Sequence, residues 1–291
     1  MGFEIFTTET LGFCFGVDRA VTALYERIKK ENDAESGRRI CTFGPIIHNT
    51  DINDDLRRRG VEIIEDAALA RPDDIVFIRT HGVPKAVTEA LERHGAEVVD
   101  MTCPKVKRIQ RIAAGKKDLI IVGDIAHPEV VGIVGNAENN YFIAKSLDEL
   151  KNILHNKLNT SGEYVLVAQT TFNVSEFERM TEYAKAFPNV EVINTICTAT
   201  HDRQKQVEEL SKKVDFMIIV GGKNSSNTKK LYQIASQNCD AVHIEKFTQL
   251  PTYLGKYKKI GLSAGASTHR SAIEEVIINM VNENDEKVLT E

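Results

Sequence analysis

Short runs of β-branched and apolar residues alternate along the chain with stretches in which apolar residues recur every three or four positions. The runs FEIF (3–6), IVFIR (75–79), LIIVG (119–123), YVLVA (164–168), FMIIVG (216–221) and KIGLSA (259–264) predict strands. Residues 16–31, 85–95, 104–116, 175–187, 202–214 and 271–281 predict helices with an apolar stripe turned toward a sheet. Such alternation is the pattern of an α/β fold with parallel sheets.

Three cysteines share one address on this map. Cys14 sits between two glycines at the point where an apolar run becomes a helix, Cys103 is followed by Pro104 at a first helical position, and Cys197 precedes another amphipathic helix. A helix start supplies unpaired N–H groups and partial positive charge, which favours a thiolate. After each cysteine come a helix, a strand ending in a polar loop, and a second strand ending in a second polar loop. The loop pairs are 45–49 and 79–83, 123–130 and 168–173, and 221–228 and 262–269. His81, Thr170 and Ser267 lie at nearly equal distances after Cys14, Cys103 and Cys197, which makes them equivalents in three copies of one α/β unit.

The repeat predicts three similar α/β lobes with small parallel sheets, arranged with pseudo-threefold symmetry around a centre. They span residues 12–100, 101–195 and 196–282, with residues 1–11 as an N-terminal strand and 283–291 as a polar tail. Ligands of open parallel sheets gather beyond the carboxyl ends of the strands. Three lobes aiming those ends at one another would gather three thiolates and six polar loops in one cavity.

Composition narrows the chemistry. The 291 residues carry a net charge of −5, so no global basic field exists to hold nucleic acid or an anionic membrane. No apolar run approaches the roughly 20 residues that span a bilayer, and no leader of basic then apolar residues opens the chain; the expectation is a cytoplasmic protein. Five widely spaced cysteines in such a chain argue against disulfides, and the lack of any CxxC or CxxxC pair argues against a zinc finger or a sequential ferredoxin motif. Any metal site is assembled from distant segments.

Three converging thiolates suit an iron–sulfur cluster or zinc. A 4Fe-4S cluster with three cysteine ligands keeps one iron open to substrate. Cys41 and Cys239, at strand boundaries, are expected to be structural. The loops supply His48, His81, His127, Thr170, Ser225, Ser226, Asn227 and Ser267, a donor set suited to a phosphate or diphosphate. Glu129, facing an anion, would hold a proton and deliver it. The stretch GGKNSS (221–226) lacks the spacing of a P-loop, and no GxGxxG occurs.

The motifs GFCFGVDRA, IIHN, THGV, TCP, HPE, QTT, ICTAT..RQ, GGKNSSN and AGAS, in that order over roughly residues 10 to 280, resemble the LytB or IspH family of 4-hydroxy-3-methylbut-2-enyl diphosphate reductases. The resemblance implies a trefoil of three lobes around a 4Fe-4S cluster on Cys14, Cys103 and Cys197. It implies a diphosphate held by His48, His81, His127, Ser225, Ser226, Asn227 and Ser267, with Thr170 near the substrate hydroxyl and Glu129 as proton donor. The implied reaction is the two-electron reductive dehydroxylation that ends the non-mevalonate isoprenoid pathway and yields isopentenyl and dimethylallyl diphosphate. A ferredoxin or flavodoxin is the implied electron donor. Asp124 stands where some members carry His, and Thr198 and His201 fall at variable positions. Two rivals use the same residues: a zinc-dependent hydrolase on a phosphorylated substrate, and a non-catalytic iron–sulfur sensor.

Overall fold

The computed structural model describes residues 2–289, with side chains through residue 282. Strand β1 (Glu4–Thr7) and helix α1 (Phe15–Asp33) open the chain. The first sheet follows, built from β2 (Ile40–Phe43), β3 (Glu62–Ile64), β4 (Ile75–Ile78) and β5 (Glu97–Asp100), with α2 (Thr50–Arg58) and α3 (Lys85–Arg93) between strands. Helix α4 (Pro104–Ala113) leads to β6 (Asp118–Val122), α5 (Pro128–Val134), β7 (Tyr141–Ala144), α6 (Leu147–Asn156), β8 (Tyr164–Ala168), α7 (Val174–Ala184) and β9 (Val190–Val192). Helix α8 (Thr198–Ser211) leads to β10 (Phe216–Val220), α9 (Ser226–Ala235), β11 (Asp240–Ile244), β12 (Lys259–Ala264) and α10 (Arg270–Leu289).

Among the described residues these strands form three four-stranded sheets, in the orders β3-β2-β4-β5, β7-β6-β8-β9 and β11-β10-β12-β1. Every neighbouring pair is parallel. The three orders are one topology. In the first two sheets the outer strand beside the third is the next strand in sequence, β5 or β9; in the third sheet the N-terminal β1 takes that place.

The central strands β2, β4, β8 and β10 are buried at every position, which is why they read as continuous apolar runs. Ile75, Val76, Phe77 and Ile78 are at most 1% exposed, and each contributes roughly 1.5–3 kcal/mol by leaving water. Helices end and begin where the sequence supplies caps: Ser146 accepts from the Glu149 N–H, Asn173 from the Glu176 N–H, and Pro104 occupies the first position of α4.

The chain packs as two compact units. One comprises residues 16–47 and 51–197 and holds the first two sheets; the other, among the described residues, comprises 2–15, 48–50 and 198–289 and holds the third. Helix α10 runs to Leu289 and so enters the stretch expected as a polar tail, whose last residues, 290 and 291, lie outside the described residues. No helix among the described residues is long and apolar enough to cross a membrane.

Candidate active site

Each cysteine of the repeat stands between the outer strand of one sheet and the helix that leads to the next. Cys14 follows β1 and precedes α1, Cys103 follows β5 and precedes α4, and Cys197 follows β9 and precedes α8. Their backbone N–H groups are fixed in one way. Cys14 donates to the Ala266 carbonyl at 3.0 Å, Cys103 to Thr80 at 2.9 Å and Cys197 to Thr170 at 3.0 Å. These bonds set the register of the repeat. Thr170 corresponds to Thr80 and Ala266, one position before His81 and Ser267, which corrects by one residue the equivalence expected from sequence distances.

None of the five cysteines is in a disulfide, and Cys14, Cys103 and Cys197 are all partly exposed. Cys103 opens α4 without a side-chain capping bond. A Cβ at position 16 would stand 2.8 Å from the Cys103 sulfur, so Gly16 leaves the space that this thiol occupies. Soft donors at helix starts, with a glycine cleared beside one of them, fit an iron–sulfur group. Cys41 is fully buried in the apolar core of the first sheet and Cys239 packs against that of the third; burial pushes both thiols up to about 11, as expected of structural residues.

Two arginines that sequence reasoning passed over fix the cysteine loops. Arg19, on α1, donates to the carbonyls of Met101 and Thr102 just before Cys103. Arg203, on α8 and 1% exposed, donates to the Gly12 carbonyl just before Cys14. Their signal was present in the motifs, where an arginine recurs in the second turn after a cysteine.

The second sheet carries the acid. His127 caps α5, and its Nδ1 accepts the Glu129 N–H at 3.1 Å, so the neutral ring carries its proton on Nε2. The His81 and His127 rings meet edge to face, with centroids 5.5 Å apart. Glu129 is 2% exposed; its Oε1 accepts the Thr170 N–H and its Oε2 the Thr170 hydroxyl, both at 2.6 Å. Burial raises the carboxyl to about 7 against the lowering pull of the two Thr170 bonds. The acid therefore exchanges its proton near neutrality, well above the usual carboxylate range.

The third sheet carries a different group of donors. Ser225 caps α9 by accepting the Thr228 N–H at 3.3 Å, and Ser226 and Asn227 form the first turn. Asn227 is 4% exposed, yet neither its amide nitrogen nor its amide oxygen has a partner among the described residues. A buried amide left so costs about 1–3 kcal/mol. The Ser267 hydroxyl donates to the His48 carbonyl at 3.2 Å, and the Asn49 amide donates to the Ser267 carbonyl at 2.8 Å. A Cβ at Gly222 would lie 2.6 Å from the His48 oxygen, so this glycine admits the His48 segment beside the loop that enters α9.

A family model described as LytB protein matches residues 5–281. The chain belongs to the LytB family. Among its LytB relatives, the 4-hydroxy-3-methylbut-2-enyl diphosphate reductase of Caldanaerobacter subterraneus subsp. tengcongensis is 42% identical over 283 residues, covering 94% of this chain and 95% of its own. The enzyme of the same name from Treponema denticola is 38% identical over 278 residues, covering 92% and 96%. The solved E-1-hydroxy-2-methyl-but-2-enyl-4-diphosphate reductase of Plasmodium falciparum superposes with a TM-score of 0.88 at 25% identity, over 96% of this chain and 88% of that one. A second solved structure, of an (E)-4-hydroxy-3-methyl-but-2-enyl diphosphate reductase described as the terminal enzyme of the non-mevalonate pathway, gives 0.67 at 36% identity over 97% and 100%. LytB membership identifies the chain as an iron–sulfur oxidoreductase with an α/β fold of three parallel sheets.

Proposed function

We propose that this chain reduces (E)-4-hydroxy-3-methylbut-2-enyl diphosphate to isopentenyl and dimethylallyl diphosphate. The allylic C–O bond breaks, the hydroxyl leaves as water, and two electrons and two protons are taken up. The observation that carries the reading is the Glu129–Thr170 pair, a buried acid raised to about 7 by its burial and bonded to a hydroxyl. Family membership supplies its substrate.

Cys14, Cys103 and Cys197 would hold a 4Fe-4S cluster with one open iron. When bound, that group supplies single electrons and Lewis acidity. The protein's own residues do the rest. His48, His81, His127, Ser225, Ser226, Asn227 and Ser267 donate to the diphosphate, with His127 presenting its Nε2–H. Protonated Glu129 gives its proton to the Thr170 oxygen at Oε2, and Thr170 turns its own hydrogen toward the leaving hydroxyl. A small ferredoxin or flavodoxin delivers the electrons.

An anaerobic absorption spectrum with iron and sulfide assays tests this reading. We expect about four irons per chain and reoxidation of the reduced cluster on addition of the allylic diphosphate. Zinc without sulfide would overturn this reading, and an intact reduced cluster that the diphosphate leaves unchanged would favour the sensor over it.

A further inference from the structure

Gln169, the first residue after β8, belongs to none of the donor sets above, yet its side chain ties together the two loops that carry the acid and its partner. It is 3% exposed. Its Oε1 accepts the Asp124 N–H at 3.2 Å, and its Nε2 donates to the Thr171 hydroxyl at 2.8 Å. From Asp124 the bonds continue in a circuit. The Asp124 carbonyl accepts the His127 N–H at 2.9 Å, His127 Nδ1 accepts the Glu129 N–H, and Glu129 accepts twice from Thr170, which is joined covalently to Gln169. A Cβ on Gly123 would come within 3.1 Å of both Cβ and Oε1 of Gln169, so the glycine preceding Asp124 leaves room for this side chain.

The other two sheets show that the amide is particular to this one. Ile78, Ala168 and Ala264 pair with Phe43, Val122 and Val220, so the residues that follow them, Arg79, Gln169 and Gly265, are equivalent. Gly44, Gly123 and Gly221 are likewise equivalent, each donating to the last residue of the neighbouring strand, Ile64, Ala144 or Ile244. Arg79 lies across Gly44, but its Nε has no partner among the described residues, and Gly265 has no side chain at all. Among the described residues, only the sheet that carries Glu129 closes a circuit at this position.

We propose that Gln169 is a positioning residue that closes this circuit, holding His127 in its Nε2–H tautomer and Glu129 on Thr170, and so sets turnover without touching substrate. The effect on turnover rests on the proposed reductase activity; the effect on the circuit does not. The test uses Gln169→Met, which keeps length and packing but can make neither bond, and Gln169→Glu, which keeps the acceptor for Asp124 and loses the donor to Thr171. In the apoprotein, amide exchange at Asp124, His127 and Thr170 should quicken at least about tenfold in Gln169→Met. Exchange in β6 and β8 should stay unchanged, and the 15N signals of the His127 ring should shift toward mixed tautomers. Gln169→Glu should restore protection at Asp124. In the loaded enzyme, kcat of Gln169→Met should fall about tenfold while KM for the diphosphate stays within about twofold. Unchanged exchange and ring signals in folded Gln169→Met would overturn the proposal, as would a rise in KM with kcat unchanged. Should Gln169→Met fail to fold, Gln169→Glu decides: protection at Asp124 retained with kcat lowered supports the role, and protection lost with kcat unchanged overturns it. Loss of protection beside an inactive wild type would sink the reductase reading alone.

Discussion

The carboxyl end of the second sheet and the start of α9 beside the third are both buried and polar, yet they treat their hydrogen bonds in opposite ways. Around Glu129 both carboxyl oxygens, the His127 Nδ1 and the Gln169 amide are bonded within the protein. At Asn227 an equally buried amide has no partner on either atom among the described residues. A closed network fixes geometry and proton position before anything binds; an open amide has its partner supplied from outside. On the proposed reading, the contrast separates proton delivery from ligand capture.

The largest break comes from Glu129→Gln. Turnover should fall at least about 100-fold while the absorption spectrum of the cluster stays unchanged, because the amide fills the same space without an acidic proton. The same variant reports on pH. Glu129 is raised from 4.5 to about 7 on folding, so its contribution to stability is complete below about 4.5 and is lost as pH rises through 7. Denaturant unfolding of the apoproteins should show the wild type losing roughly 2–3 kcal/mol relative to Glu129→Gln between about pH 5 and 8. Equal drift in the two would place the Glu129 proton elsewhere.

Asn227→Leu acts on the open side and should split the two properties. Binding of the diphosphate should weaken about tenfold to 100-fold, whereas thermal stability without ligand should hold or rise, since an unpaired buried amide is removed. A fall in both would mean that the amide is already paired in the unliganded protein. The smallest effect is expected from Ser225→Ala. Loss of the cap on α9 should cost about 1 kcal/mol of stability, measured by unfolding in denaturant. No loss would show that the Ser225 hydroxyl serves the ligand alone.

The central strands were legible because both faces are buried: the expected strands 164–168 and 259–264 coincide with β8 and β12, and 119–123 falls within one residue of β6. The outer strands β3, β5 and β7 were not, being short, half-exposed and, in EII and EVVD, interrupted by acids at their ends. Helix α5 escaped because HPEVVGIV has too few turns to show a period. At the site, recurrence exposed the histidines, serines and cysteines. Gln169 stayed hidden because it acts on the Asp124 N–H brought near by folding, which no local spacing encodes, whereas Arg19 and Arg203 left a trace in their recurrence after a cysteine.

The place of β1 bears on how the protein is made. Its partner β12 begins at Lys259, so β1 can pair only once the chain through β12 has been made. Cys14, whose N–H is held by Ala266, is seated only when that late segment arrives. On the proposed reading, a cluster on Cys14, Cys103 and Cys197 would be loaded only after β12 and Ala266 are in place, and a chain cut short of them would have at most two of these thiols seated.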